Sequence, residues 1–230
     1  REILKDISFS VKQGETIAFV GSTGSGKSSI INLFLRFYEF EKGKILIDGK
    51  DIRDYSQAEL RRNIGLVLQD PFLYHGSISS NIRMYQESLS QAEVEEAARF
   101  VDAHDFISQL PQGYDNPVTE RGSTFSSGQR QLLAFARTIA TKPKILILDE
   151  ATANIDSETE ELIQHSLRKM RQGRTTIAIA HRLSTIQDAN CIYVLDKGRI
   201  IESGSHEELL AQNGTYKKMY QLQAGMMDAW

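Results

Sequence analysis

Cysteine is almost absent: Cys191 stands alone among 230 residues, so no disulfide can close within the chain, and a reduced, cytosolic setting is the expected one. Proline is scarce, with four residues, and the sixteen glycines are scattered, so nothing reads as a flexible linker. Basic charge is not in excess. Lysine and arginine total 27 against 30 acidic residues, a net of −3, which argues against the positive footprint of a nucleic-acid binder. No apolar run approaches the ~18 residues of a membrane-spanning helix, and runs such as 145–148 are a fraction of that. No secretory leader pattern opens the chain. Its first residue is Arg1, already within a strand-like stretch, which points to a piece cut from something longer.

What is present is ordinary globular material, with 40% hydrophobic and 25% charged residues, and that composition excludes a disordered chain. The length suits one large domain or two small ones and allows a sizeable core. No repeat or low-complexity tract interrupts it. Short β-branched runs alternate with amphipathic helical stretches, the pattern of an α/β fold around a mainly parallel sheet. Strands are predicted over 3–9, 16–20, 44–47, 64–68, 145–148, 175–180, 191–195 and 199–202, and helices over 27–37, 91–100, 129–141, 157–170 and 206–212. Gly14, Gly43 and Gly49 at turns suggest an antiparallel β part beside the parallel sheet. Residues 71–141 carry no strand pattern. The prediction is one domain over 1–230, a nucleotide-binding α/β core with a helical subdomain inserted at about 71–141.

Gly21, Ser22, Thr23, Gly24, Ser25, Gly26, Lys27 and Ser28 spell G-x-x-x-x-G-K-[ST], followed by Ser29, after the apolar run 16–20 and at the start of a helical stretch. Glycines let the backbone form a nest of N–H groups around phosphate oxygens, and the helix N-terminus adds its dipole. Lys27 is placed to reach the β- and γ-phosphates and the Ser28 hydroxyl to ligate Mg²⁺. A Gly/Ser turn before a helix is the bland alternative, and the strand–loop–helix context weighs against it. The apolar run 145–148 ends in Asp149 and Glu150. Alone, two such acids are often a solvated strand end. Beside a phosphate loop, Asp149 suits a Mg²⁺ ligand and Glu150 a base that orients attacking water. Gln69 and His181 also follow apolar runs, so Gly21, Gln69, Asp149 and His181 are each expected just past a strand's carboxyl end, where open α/β sheets bind ligands. Gln69 is expected to serve the metal and its water, and His181 to contact the γ-phosphate and position Glu150.

Phe125, Ser126, Ser127, Gly128 and Gln129, shortly before the acid pair, complete a recognisable order. Along nearly its whole length the chain resembles the nucleotide-binding domain of ATP-binding-cassette (ABC) transporters, a P-loop NTPase fold. The matching set is the phosphate loop, a Q-loop at Gln69, the signature at 125–129, the acid pair, a D-loop at 153–156 ending in Asp156, and an H-loop at His181. The resemblance implies a Mg-dependent ATPase whose cofactors are ATP and Mg²⁺. It also implies that two such domains sandwich two ATP molecules head to tail, each between one domain's phosphate loop and the other's Ser126, Ser127, Gly128 and Gln129. Ser126 and Gln129 also read as an S-x-x-Q capping box before a helix with apolar Leu132, Phe135, Ala136 and Ile139. A capped helix start and an anion site are compatible readings. Residues 119–122 resemble the exporter X-loop, and residues 72–78 with Asn81 and Ile82 resemble the exporter segment that meets coupling helices. The resemblance thus implies the motor domain of an exporter at the cytoplasmic face of the membrane, partnered by a transmembrane domain and a second nucleotide-binding domain, with no nucleic-acid partner.

Two departures qualify the match. The usual signature is L-S-G-G-Q; here Phe125 replaces leucine and Ser127 replaces the first glycine. A side chain where backbone nears phosphate should weaken that contact. With Glu150, His181 and the phosphate loop intact, the combination resembles one half of a heterodimeric exporter that gives its altered signature to a partner's impaired site. A homodimer tolerating F-S-S-G-Q competes, as does an ATP-gated dimerisation module of low turnover. Relatives from DNA repair and translation fit less well, because no heptad run separates phosphate loop from signature and only one phosphate loop is present. The second departure is that the family's adenine-stacking aromatic would precede the first strand and is not assigned. Phe9 reads as core, Cys191 as a small buried hydrophobe and His206 as a helix start. Tyr55, Trp230 and residues 226–227 read as surface or terminal positions, and Asp156 as a dimer-interface residue or a helix N-cap.

Overall fold

A computed structural model describes residues 3–68, 70–149 and 157–225. In chain order its elements are β1 (Thr16–Gly21), α1 (Lys27–Phe34), β2 (Leu46–Ile47), β3 (Lys50–Asp51), α2 (Gln57–Asn63), β4 (Ile64–Val67), β5 (Gly76–Ser77), α3 (Ile78–Ile82), α4 (Gln91–Phe100) and α5 (His104–Gln109). They continue with β6 (Pro117–Val118), α6 (Ser127–Ala140), β7 (Ile145–Asp149), α7 (Ser157–Arg171), β8 (Thr175–Ala180), β9 (Cys191–Asp196), β10 (Arg199–Gly204), α8 (His206–Ala211) and α9 (Thr215–Gln223). The chain divides into two compact units, one of Arg1–Ile64 with Thr175–Trp230, the other of Gly65–Arg174.

In the first unit the strand order is β10, β9, β1, β8. Every residue of β1 is buried, as expected of an apolar run flanked by parallel strands on both sides. β1 runs parallel to β8, with Ile17 opposite Ile177, and parallel to β9, with Ile17 opposite Cys191. β9 and β10 are antiparallel and turn through Lys197 and Gly198, both at positive φ. β2 and β3 form a small antiparallel hairpin through Asp48 and Gly49, at φ 51° and 77°, the backbone a tight primed turn requires. Tyr55 is not idle surface: its hydroxyl donates to the Ile47 carbonyl at 2.9 Å and closes this hairpin.

The predicted first strand is absent. Asp6 takes a left-handed φ of 52°, which breaks an extended run, and Lys5 N donates to Gly198 O instead of to a strand partner. Phe9 is half-buried outside any strand, its ring 5.0 Å from that of Phe19 and 5.9 Å from that of Tyr193. Cys191 is likewise half-buried rather than buried. His206 does open α8, but it is a buried partner of Tyr216, with Nδ1 2.7 Å from the tyrosine hydroxyl. Trp230 and residues 226–227 lie outside the described residues.

The second unit holds β4 beside β7 and the helices α3 to α7. It contains strands where none was predicted: Gly76 pairs with Val118 and Ser77 with Pro117, two-residue segments too short to show alternation. Helices α3, α4 and α6 begin with capping boxes, Ser77 with Ser80, Ser90 with Glu93 and Ser126 with Gln129. Helix α6 is the pillar of this unit. Leu132, Phe135, Ala136 and Ile139 are buried as their spacing predicts, and so are Leu133, Ala134, Gln131 and Arg137 on other faces, because α3, α4 and α7 all pack on it. No helix among the described residues is long and apolar enough to cross a membrane.

Candidate functional site

β1 ends at Gly21, whose φ of +157° and surroundings demand glycine: a Cβ there would lie 2.5 Å from the Leu195 carbonyl oxygen. The following loop is braced by Ser25 N donating to Ser22 O at 3.1 Å and Gly198 N donating to Ser25 O at 2.9 Å. Gly26, at φ 109°, is the N-cap of α1 and offers no side chain to the first-turn N–H groups. Gly24 (φ 80°) has open space where a side chain would stand. Ser22, Thr23 and Ser28 are exposed and Ser29 is half-buried. Ser25, 2% exposed, has a hydroxyl oxygen with no hydrogen-bond partner. Lys27 is 5% exposed; its ammonium donates to the Gly21 carbonyl and stands 3.5 Å from Nδ1 of His181.

That lysine–histidine approach follows from sheet register. Val20 of β1 sits opposite Ala180 of β8, so Gly21 and His181, the next residues of two parallel neighbours, leave the sheet at one level. His181 is exposed and just past its strand, as predicted. Gly21 and Asp149 are instead the last residues of β1 and β7 themselves, and β4 stops at Val67, short of Leu68. Asp149 is half-buried. Gln69, Glu150 and Asp156 lie outside the described residues.

In the second unit, Ser126 is the N-cap of α6: Gln129 N donates to Ser126 Oγ at 3.1 Å, and Ser126 N donates to Gln129 Oε1 at 3.0 Å. Phe125 is buried, 6% exposed. Ser127 is the first helical residue, and its hydroxyl accepts from the Arg130 guanidinium at 3.2 Å, so the residue that departs from the usual glycine is tied down along its own helix. Gly128 has a packing reason to be glycine: a Cβ there would lie 1.9 Å from Thr159 Cγ2 on α7.

Comparison with known proteins bears directly on this order of motifs. Residues 4–153 match the family described as ABC transporter. The chain belongs to the ABC transporter family. Exp8 of Streptococcus pneumoniae serotype 4, an ABC transporter ATP-binding protein by name, is 78% identical over 225 residues, which cover 98% of this chain and 38% of that protein. YheH of Bacillus subtilis, named as a multidrug resistance ABC transporter ATP-binding/permease protein, is 56% identical over 97% of this chain and 33% of its own length. Among solved structures, a bacterial Atm1-family ABC exporter with ATP bound superposes with a TM-score of 0.91 at 46% identity, covering 100% of this chain and 40% of that one. The ABC chain thus spans well under half the length of these relatives. Its fold is that of the P-loop ABC ATPases, and as a family member it is an ATP-binding domain of the ATPase class.

The residues of this ABC domain fit an anionic nucleotide on structural grounds: first-turn N–H groups with no capping side chain, an unpartnered buried hydroxyl at Ser25 and a buried lysine. The described residues contain no group of three or more His, Cys, Asp or Glu suited to a metal. Mg²⁺ in nucleotide sites takes one or two protein oxygens and phosphate oxygens, so Ser28 and Asp149 are adequate in kind.

Sequence reasoning missed one ABC-domain feature outright. Arg137 of α6, 5% exposed, donates to Asn81 O and Phe72 O at 2.9 Å each and to Asn81 Oδ1 at 3.1 Å. Burial pushes its guanidinium pKa down. Asn81 in turn closes the loop before α3, donating to the Tyr74 and Ser77 carbonyls at 2.9 Å and accepting from Tyr74 N at 2.8 Å. Hence the stretch 72–82, singled out for its exporter likeness, is clamped to the signature helix. The 119–122 stretch joins it: Arg121, at φ 60°, stands 5.6 Å from the centre of the Phe72 ring, and a Cβ at Gly122 would meet Leu73 at 2.7 Å. Phe72 and Tyr74 remain exposed, their rings 4.6 Å apart. An arginine within an otherwise buried helix was the available signal.

Proposed function

We propose that this domain binds and hydrolyses Mg-ATP as the motor of an ABC exporter, at the cytoplasmic face of the membrane, with transport driven by ATP-dependent pairing of two nucleotide-binding domains. The observation that carries it is the phosphate loop itself: a buried Lys27 ammonium held by its own loop's Gly21 carbonyl beside His181, with an unpartnered Ser25 hydroxyl and a helix start that no side chain caps. Lys27 exchanges the Gly21 carbonyl for phosphate oxygens, and other backbone N–H groups of the loop and the first turn of α1 supply the remaining donors. Ser28, Gln69 and Asp149 hold the metal, which when bound neutralises charge on the phosphate oxygens. Glu150 polarises the attacking water, Gln69 helps place that water, and His181 contacts the γ-phosphate.

Across the dimer, Ser126, Ser127, Gly128 and Gln129 face the partner's ATP, and Asp156 lies at the interface. The partner is a different subunit: Ser127, held by Arg130, gives its own helix start a polar side chain in place of glycine, while this chain's phosphate loop is complete. Residues 71–141 act as the helical subdomain, and exposed Phe72 and Tyr74 receive the coupling helices of a transmembrane domain. That YheH is named as an ATP-binding/permease protein and the similar solved structure as an ABC exporter supports this assignment.

Sedimentation of the Glu150→Gln variant with Mg-ATP over a range of concentrations, alongside steady-state hydrolysis, tests the proposal. Turnover is expected to drop by about 10²–10⁴ with nucleotide still bound, the usual worth of a general base. An unchanged rate removes Glu150 from catalysis, and a nucleotide-dependent homodimer replaces the heterodimer by a homodimeric exporter.

A further inference from the structure

The H-loop is held from a distant part of the chain. Helix α9 ends at Gln223, whose carboxamide spans the turn after β8: Nε2 donates to the His181 carbonyl at 2.6 Å, and Oε1 accepts from Leu183 N at 2.8 Å. One planar group therefore fixes the carbonyl of His181 and the amide two residues later, using its donor end for one and its acceptor end for the other. Leu183 is fully buried and opens a 3₁₀ turn, Leu183–Thr185, so the clamp has a firm base on that side.

Helix α9 is firm at its other end too. The backbone N–H groups of Thr215 and Tyr216 both donate to the Glu202 carboxylate of β10, at 2.6 and 3.2 Å. The fully buried Tyr216 places its hydroxyl 2.7 Å from Nδ1 of His206. β10 pairs with β9, which pairs with β1, the strand that leads into the phosphate loop. All these groups belong to the first unit. The backbone that Gln223 grips carries the imidazole that stands 3.5 Å from Lys27 Nζ.

We propose that Gln223 is a positioning residue for His181, so that α9 sets where the imidazole stands over the phosphate loop. This rests on the reading of His181 as a γ-phosphate contact. Gln223 is exposed, so trimming its side chain opens no cavity, and water takes over the two backbone groups without holding their geometry.

The test is Gln223→Ala in the intact protein, compared with His181→Ala and the parent. Loss of roughly one net hydrogen bond should lower kcat about threefold to tenfold and leave KM for ATP within about twofold. Exchange of the Leu183 amide proton should accelerate about tenfold, and the unfolding temperature should fall by no more than about 4 °C. A residue of merely structural importance would shift unfolding and leave the kcat-to-KM balance alone. Parental kcat in Gln223→Ala with His181→Ala impaired overturns the positioning role and spares the reading of His181. Parental turnover in His181→Ala overturns both. An unaltered Leu183 exchange rate shows that the clamp is not made.

Discussion

Replacing Gly128 by alanine separates two reasons for a glycine in the signature. Gly128 lies in the first turn of α6 and is not among the glycines at positive φ, so backbone freedom does not explain it. The added Cβ would stand 1.9 Å from Thr159 Cγ2 and 3.1 Å from Thr159 Cβ, against the roughly 3.5–4.0 Å of a relaxed carbon contact. Threonine in a helix has few χ1 choices, so Thr159 cannot simply swing aside, and α6 and α7 must part or strain. Overpacking of this kind costs about 1–3 kcal/mol, while alanine over glycine in a helix returns up to about 1 kcal/mol. The net loss of about 1–2 kcal/mol corresponds to an unfolding temperature lower by about 2–8 °C in a chain of this size. Thermal unfolding followed by circular dichroism measures it. Thr159→Ser removes the offending methyl and keeps the hydroxyl, so Gly128→Ala in that background should cost no more than about 0.5 kcal/mol, a coupling between residues in contact. Were glycine needed because phosphate approaches the backbone, shortening Thr159 would rescue nothing. An undiminished loss in the Thr159→Ser background, or no loss in the single variant, refutes the packing argument.

Arg137→Met strands the carbonyls of Phe72 and Asn81 that the guanidinium serves. It should destabilise by about 2–4 kcal/mol and speed amide exchange across 72–82; an unfolding temperature equal to the parent's would contradict the clamp. Asp102, at φ 63° after α4, ties that helix to α7 through His165, Ser166 and Lys169. Burial works to raise its pKa, but the hydrogen bonds from His165, Ser166 and Lys169 outweigh it and leave the carboxylate below its ordinary value. A depressed folded-state pKa stabilises above the unfolded value of about 3.9 and is lost as pH falls through the folded value. Asp102→Asn, which tolerates the same backbone, should therefore cost about 1 kcal/mol near pH 7 and nothing once pH drops well below 3.9; a cost independent of pH would show that charge plays no part.

Helices with strong local signals were legible from the residues. Gln91–Phe100 was predicted residue for residue, and α6 and α7 to within a few, because 3.6-residue periodicity marks all three and a serine caps α4 and α6. Short elements were not: α3 and α5 span about one turn, and β5 and β6 two residues each, too little for any period to register. The run at 3–9 had strand-like composition but no neighbour to pair with, and a left-handed Asp6 decided its course. For the site, motif spacing named Lys27 and His181, and sheet register then brought them within 3.5 Å. Arg137 and Gln223 stayed hidden because their importance lies in partners far along the chain.

The contact between Lys27 and the Gly21 carbonyl gives the phosphate loop an internal competitor. An incoming anion gains only the difference between its own bonds and the one it displaces. A small monovalent ion, offering one or two acceptors, would recover little of that. A polyphosphate would spread the exchange over the lysine and the loop's backbone donors. In the proposed nucleotide site, self-ligation would therefore act as a threshold, favouring ligands long enough to occupy the whole loop.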